Sequence, residues 1–215
     1  MKIAFIPAFS AGLLLALTTA CGARTPDSEP VDATYLEARH IASSGKLVSA
    51  QRIRDQEGEH ILVLQRKAGP SAGSPKSGRL EHIELNAAYY SQQNNGWKQD
   101  WTVHDFVECP GLDAMADFFA SSVSVTDING DGKAELTVPY KLFCGGGIDS
   151  YTVKVILREG TLKLAIRGKS EVKLPGQPSF GGDHEYDKTL LTPAYATYKK
   201  HMDQVWMTVS ADARP

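Results

Sequence analysis

The sequence predicts an α+β fold, mainly antiparallel β, with a short mid-chain helix and a C-terminal helix. Three observations carry this. Runs of alternating apolar and polar residues recur between Gly-, Asn- and Asp-rich turns, the pattern of half-buried strands joined as hairpins. Two stretches change to helical period, GLDAMADFFASS (residues 111–122) and TPAYATYKKHMDQVWMTVS (residues 192–210). No self-similarity appears at a period of about 20–50 residues, so a full repeat array is not indicated.

The chain begins MKIAFIPAFSAGLLLALTTAC, with one cation, Lys2, an apolar run from Ile3 to Leu17, and small residues before Cys21. This is the layout of a secretory signal over residues 1–20, and the run is shorter than the roughly 20 residues of a spanning helix. The end LTTAC-G resembles a bacterial lipoprotein signal, in which the Cys becomes the lipidated first residue of the mature chain. Thr18 stands where that pattern has Leu, and Leu17 lies one position earlier. Ordinary secretion, with Thr18 and Ala20 as the small cleavage residues, is the other route. By the same resemblance, Gly22 rather than Asp in second place implies an outer-membrane lipoprotein, facing periplasm or surface. Without lipid the protein is soluble, periplasmic or secreted. Residues 21–33 are then the lipidated Cys and a flexible tether, since GARTPDSEPVD combines Pro, small residues and charge. Residues 34–215 make a single β-rich domain.

Inside that domain, KLVSAQRIRDQEGEHILVLQRK splits into two strands around a Gly-containing turn. AGPSAGSPKSG is a flexible loop. RLEHIELNAAYY reads as a strand, with helix as the alternative, and WKQDWTVHDFVE as a second, aromatic strand after the SQQNNG turn. Leu112, Met115, Ala116 and Phe119 then fall at helical spacing. Residues 124–126 form a strand into an acidic loop and residues 134–143 the strand leaving it. YTVKVILREGTLKLAIRG is a hairpin turning at Glu159 and Gly160. After the irregular PGQPSFGGDHEYD, Thr192 and Pro193 suit the start of the last helix. Its apolar face is Tyr195, Tyr198, Met202, Val205 and Met207, packed on the sheet.

Lys and Arg number 23 against 25 Asp and Glu, a net charge of −2 with no basic run, so no nucleic-acid partner is expected. Three Cys in an exported chain leave one odd. If Cys21 carries lipid, Cys109 and Cys144 remain as a pair in an oxidising compartment, each beside a loop signal, ECPG and CGGG. Two buried free thiols are the other arrangement.

The segment TDINGDGKAELTV (residues 126–138) concentrates oxygen donors. Asp127, Asn129 and Asp131 alternate, Lys133 offers its carbonyl, and Glu135 closes the set. Ca²⁺ takes six to eight oxygens, and a loop supplies them at positions 1, 3, 5, 7 and 9. A metal-free Asx turn is the other reading. An EF-hand would continue to Glu at its twelfth position, where Val138 stands. The phrase instead resembles the D-x-N-x-D-G-x-x-E loop of FG-GAP and VCBS repeats in bacterial surface proteins and integrin-type propellers. That resemblance implies a structural Ca²⁺ loop between two strands, in one copy, without the propeller. More broadly, DFVECPGLDAMADFF, SVTDINGDGKAELTVPYKLFC, YTVKVILREG and KLAIRG resemble a family of exported bacterial proteins associated with surface-polysaccharide biosynthesis, over residues 55–168. The resemblance supports the disulfide and the loop and carries no catalytic role. CGGG departs from it, replacing a more polar stretch.

No H-E-x-x-H, phosphate loop or G-x-G-x-x-G occurs. His60, His82 and His104 are scattered over strand-like segments, Asp183, His184 and Glu185 form a charged knot in a loop, and Trp97, Trp101 and Phe106 read as core. The sequence therefore points to a non-enzymatic, membrane-tethered envelope lipoprotein, with surface glycan or an envelope protein as partner. The competing expectation is a hydrolase or transferase acting on envelope glycan, using acids of residues 127–135 or 183–185.

Overall fold

The computed structural model describes Met1 and residues 25–74, 76 and 78–211. Apart from Met1, the leader expected over residues 1–20 lies outside the described residues, as does Cys21.

Two antiparallel sheets face each other. The first is a meander in chain order, β1 (Asp27–Val31), β2 (Lys46–Asp55), β3 (Gly58–Gly69), β4 (His82–Gln93) and β5 (Gly96–Glu108). The second runs β11 (His184–Tyr186), β10 (Leu162–Lys169), β9 (Thr152–Glu159), β8 (Glu135–Gly145) and β6 (Asp113–Phe118), with β7 (Ser124–Thr126) also on β8. Alternation decides which residues meet between them. Leu62 and Leu64 of β3 and Ile83 and Leu85 of β4 pack with Leu136, Val138 and Ile156 of the second sheet. The intervening residues face outward and are covered too. Ile61 and Val63 pack under the short helix α1 (Ala33–Glu37), and Val153, Val155 and Leu157 under α2 (Ala196–Ser210). Burial on both faces explains why ILVL and VKVIL read as near-continuous apolar runs. No helix among the described residues is long and apolar enough to cross a membrane.

Three expectations need correction. Residues 27–31 of the expected tether form β1, paired with Ala50–Arg54 of β2, and Asp32 caps α1 by accepting the Tyr35 N–H at 2.8 Å. The expected mid-chain helix is strand β6 followed by one 3₁₀ turn, Ala120–Ser122. Leu, Met and Ala favour a helix there, but β8 offers a free edge from Tyr140 to Gly145, and the ladder prevails over propensity. The edge breaks at Pro139. Its carbonyl accepts the Phe119 N–H at 3.0 Å, so its missing N–H faces the same side, and the chain turns there between β6 and β7. Finally, on α2 the buried face is Tyr198, Met202, Trp206 and Val209, while Met207 is 66% exposed.

Candidate cation loop and inter-sheet cavity

The acidic loop joins β7 to β8. Gly130 and Gly132, at φ of 75° and 81°, give it the left-handed bends that other residues resist. Three side-chain oxygens are held inward by nearby amides. Asn129 Oδ1 accepts the Asp131 N–H at 2.9 Å, Asp131 Oδ1 the Lys133 N–H at 2.9 Å, and Asp127 Oδ2 the Gly132 N–H at 3.1 Å. The other Asp127 oxygen, Oδ1, is buried and has no hydrogen-bond partner among the described residues. A buried carboxylate oxygen left bare is costly.

Glu135 does different work from that of a closing ligand. It is fully buried, and its carboxylate accepts the Ile128 N–H at 2.7 Å, the Asn129 N–H at 3.3 Å and the Thr126 hydroxyl at 3.0 Å. Burial pushes this carboxyl above its ordinary value, against the opposing pull of those donors. Among the described residues no three His, Cys, Asp or Glu stand close enough together to hold a metal. The donor set open to a cation is thus Asp127, Asn129, Asp131 and the Lys133 carbonyl. Asp127 fits a hard cation well. Glu135 is spent on the loop's own amides.

The loop also fastens the two sheets together. The Gln56 N–H donates to the Gly132 carbonyl at 2.9 Å, the Ala134 N–H to Asp55 Oδ2 at 2.9 Å, and Lys133 pairs with Glu57 at 2.5 Å. The β2–β3 turn of the first sheet therefore sits on the loop of the second. Asp55 continues inward to His60 Nε2 at 2.9 Å, and His60 Nδ1 meets Ser91 Oγ at 2.9 Å. Ser91 in turn donates to Asp100. Burial raises the Asp55 carboxyl, but the His60 bond and the Ala134 N–H outweigh it and hold the group below its usual range. Asp100 is the extra residue of a β-bulge, since Tyr89 pairs Trp101 while Tyr90 pairs Gln99. Bulges re-aim side chains in this way beside binding sites.

This chain of groups lines a cavity of about 610 Å³ between the sheets. His60 stacks on Tyr89 and Tyr89 on Trp101, each at 5.1 Å between centroids. From the second sheet come Lys133, Arg158 and Glu159. The other sequence candidates do not converge here. His82 and His104 share Glu84 at 3.1 Å and 3.4 Å on the opposite face of the first sheet. Phe106 lies beside them, 52% exposed, whereas Trp101 is in the core as expected. His184 hydrogen-bonds Tyr186 at 2.9 Å and packs on Trp206, and it does not line the cavity. Cys109 and Cys144 are disulfide-bonded.

Residues 119–147 match the FG-GAP repeat. The match covers the 3₁₀ turn, β7, the acidic loop and β8, and it agrees with a structural role for this part of a β-rich domain. No curated protein and no solved structure gives a significant match to the chain. The sequence missed Asp55, Ser91, Asp100 and Arg158 as site residues, and no local pattern signalled them.

Proposed function

We propose that the protein is an exported, non-enzymatic envelope module in which the loop of residues 127–135 holds a structural Ca²⁺ ion. In this reading a lipid on Cys21 tethers it to the outer membrane, where it assists surface-polysaccharide or envelope assembly. The observation that carries the cation is Asp127 Oδ1, buried inside a glycine-bent turn of oxygen donors with nothing to compensate it. Bound there, Ca²⁺ would supply positive charge to oxygens already gathered, with no redox or acid–base chemistry. Asp127, Asn129, Asp131 and the Lys133 carbonyl would hold it, and Glu135 would brace the loop from below. The FG-GAP match over residues 119–147 supports the loop, and the Cys109–Cys144 bridge suits an oxidising compartment. The leader layout and Cys21 support export and tethering.

Titration calorimetry with Ca²⁺ tests the ion: saturable heat in wild type and its loss in Asp127→Asn are expected. Absence of heat in wild type would remove the ion from the account. For the tether, Cys21→Ser should move the protein from membrane to soluble fractions.

The glycan-active alternative has one observation behind it, the Asp55–His60–Ser91 chain in the cavity. Against it, Ser91 gives its proton to Asp100 rather than to His60. Turnover on a glycan panel that Ser91→Ala abolishes would establish that alternative.

A further inference from the structure

The inward face of β9 carries Lys154, Ile156 and Arg158 in succession, opposite the apolar inner face of the first sheet. The fold treats its two inward cations differently. Lys154 is paired with Asp105, which also accepts the Tyr140 hydroxyl at 2.9 Å. Among the described residues Arg158 has no carboxylate partner within ion-pair distance. Its one described hydrogen bond runs from Nη2 to the Gly160 carbonyl at 3.4 Å, and its Nε is buried with no partner. The guanidinium lies over Trp101 at 5.3 Å, at the wall of the 610 Å³ cavity. Burial alone works against its charge and lowers its pKa. An uncompensated, half-buried guanidinium facing a cavity of ligand size lacks its counter-ion.

We propose that this cavity binds a hydroxyl-rich monocarboxylate, the chemistry of a uronic-acid sugar, with Arg158 taking the carboxylate. The charge around Arg158 selects the anion. The other cation, Lys133, is engaged by Glu57, and Asp55 by His60. Among the described residues that leaves Arg158 as the one unpaired cation of a wall that also holds Asp100 and Glu159, so one anionic group seated directly on the guanidinium is admitted while a dianion such as phosphate is opposed by those carboxylates. A planar guanidinium also suits a carboxylate's two oxygens. The rest of the wall selects the body. Gln92, Gln93 and Thr161 donate and accept, and Asp100 accepts from hydroxyls, so a polyol ring finds partners where an apolar acid would not. The loop supplies Lys133 and Ala134 to this wall, but the recognition needs no bound cation.

The test is calorimetric titration with D-glucuronate and D-galacturonate, with glucose and inorganic phosphate as controls. All arms contain chelator, so a failure of the Ca²⁺ reading and a failure of this one are read separately. At least one uronate should bind, and Arg158→Gln should weaken it by about tenfold to a hundredfold, the loss of a charge-assisted pair. Arg158→Lys keeps the charge, loses the fork and should fall between. Melting of Arg158→Gln at or above the wild-type temperature confirms that the variant folds, since it removes an unpaired buried charge. Glucose binding as tightly as glucuronate, phosphate binding in place of uronate, unchanged affinity in both variants, or no uronate binding would each overturn the proposal.

Discussion

Asp127→Asn separates a cation loop from a plain turn because its effect should change sign with the buffer. Asn keeps one oxygen for the Gly132 N–H, so the turn's own bond survives. What disappears is the negative charge behind the orphaned Oδ1. In chelator the wild type bears the cost of that buried, uncompensated oxygen, so the variant should melt at or slightly above it. With Ca²⁺ at a hundred times its dissociation constant, the wild type gains about 2.7 kcal/mol by mass action. For a domain of this size that is about 5–11 °C in melting temperature. If losing one carboxylate weakens Ca²⁺ a hundredfold, the variant gains only about 0.4 kcal/mol, or about 1–2 °C. Differential scanning calorimetry on both proteins in both buffers reads all four values. Equal loss of stability in the two buffers would show that Asp127 serves the turn alone. An identical Ca²⁺ shift in both proteins would move the ion elsewhere.

Other perturbations test the frame around the loop. Replacing Cys109 and Cys144 by Ser opens a bridge spanning 35 residues and should cost about 4 kcal/mol in the chain-entropy model, read as a lower guanidinium midpoint. A midpoint change near zero would mean the bridge adds nothing to the sheet contacts. Asp55 has its carboxyl held low in the fold, so its contribution is present above its unfolded value of about 4 and is lost as pH falls through the folded one. Asp55→Asn should be less stable at neutral pH, with the gap to wild type closing in acid; denaturant titrations from about pH 2 to 7 would show it. On the last helix, Met202→Ala should cost about 2–5 kcal/mol and Met207→Ala less than about 0.5, because the first is fully buried and the second is not.

The strands were legible where one period dominated. KLVSAQRIRD, GEHILVLQRK and the YTVKVILREGTLKLAIRG hairpin fold as read, since alternation and a Gly turn agree there. The helical reading of residues 111–122 failed because Leu112, Met115 and Ala116 state only a preference, while the open edge of β8 and the Cys144 bridge supply partners that no local window contains. Met207 was taken as a core residue, but it lies five residues past Met202 on α2 and so off the buried face, whereas Trp206, four residues past Met202, shares it. Spacing alone singled out the five loop residues as oxygen donors, and the structure places them in one glycine-bent turn between β7 and β8. That Glu135 would turn inward to the Ile128 amide was not, since a carboxylate at the ninth position looks the same whether it faces a cation or a backbone. The cavity was invisible because Asp55, Ser91, Asp100 and Arg158 come from four different strands and meet only after the sheets stack.

The position of the loop on β8 gives it a mechanical role as well as a chemical one. β8 lies inside the second sheet, and each of its ends is fastened to the first. Gly132 and Ala134, just before the strand, are bonded to Gln56 and Asp55. Cys144, near its other end, is joined to Cys109, which directly follows β5. These two ties stand about 30 Å apart along the strand, at about 3.3 Å per residue. Between them, Arg66 of β3 donates to the Ala116 carbonyl at 2.8 Å and meets Asp117 at 3.2 Å, holding the β6 edge as well. A sandwich held only by apolar contact can slide, because such contact is non-directional. Directional ties at both ends of one strand remove that freedom, and the cavity opens beside one of them. Its walls come from opposite sheets, so its shape is only as fixed as the loop–hairpin junction. Loosening Asp55–Ala134 should therefore blur the cavity before it unfolds the core, whereas breaking the disulfide should weaken the core and leave the cavity wall in register.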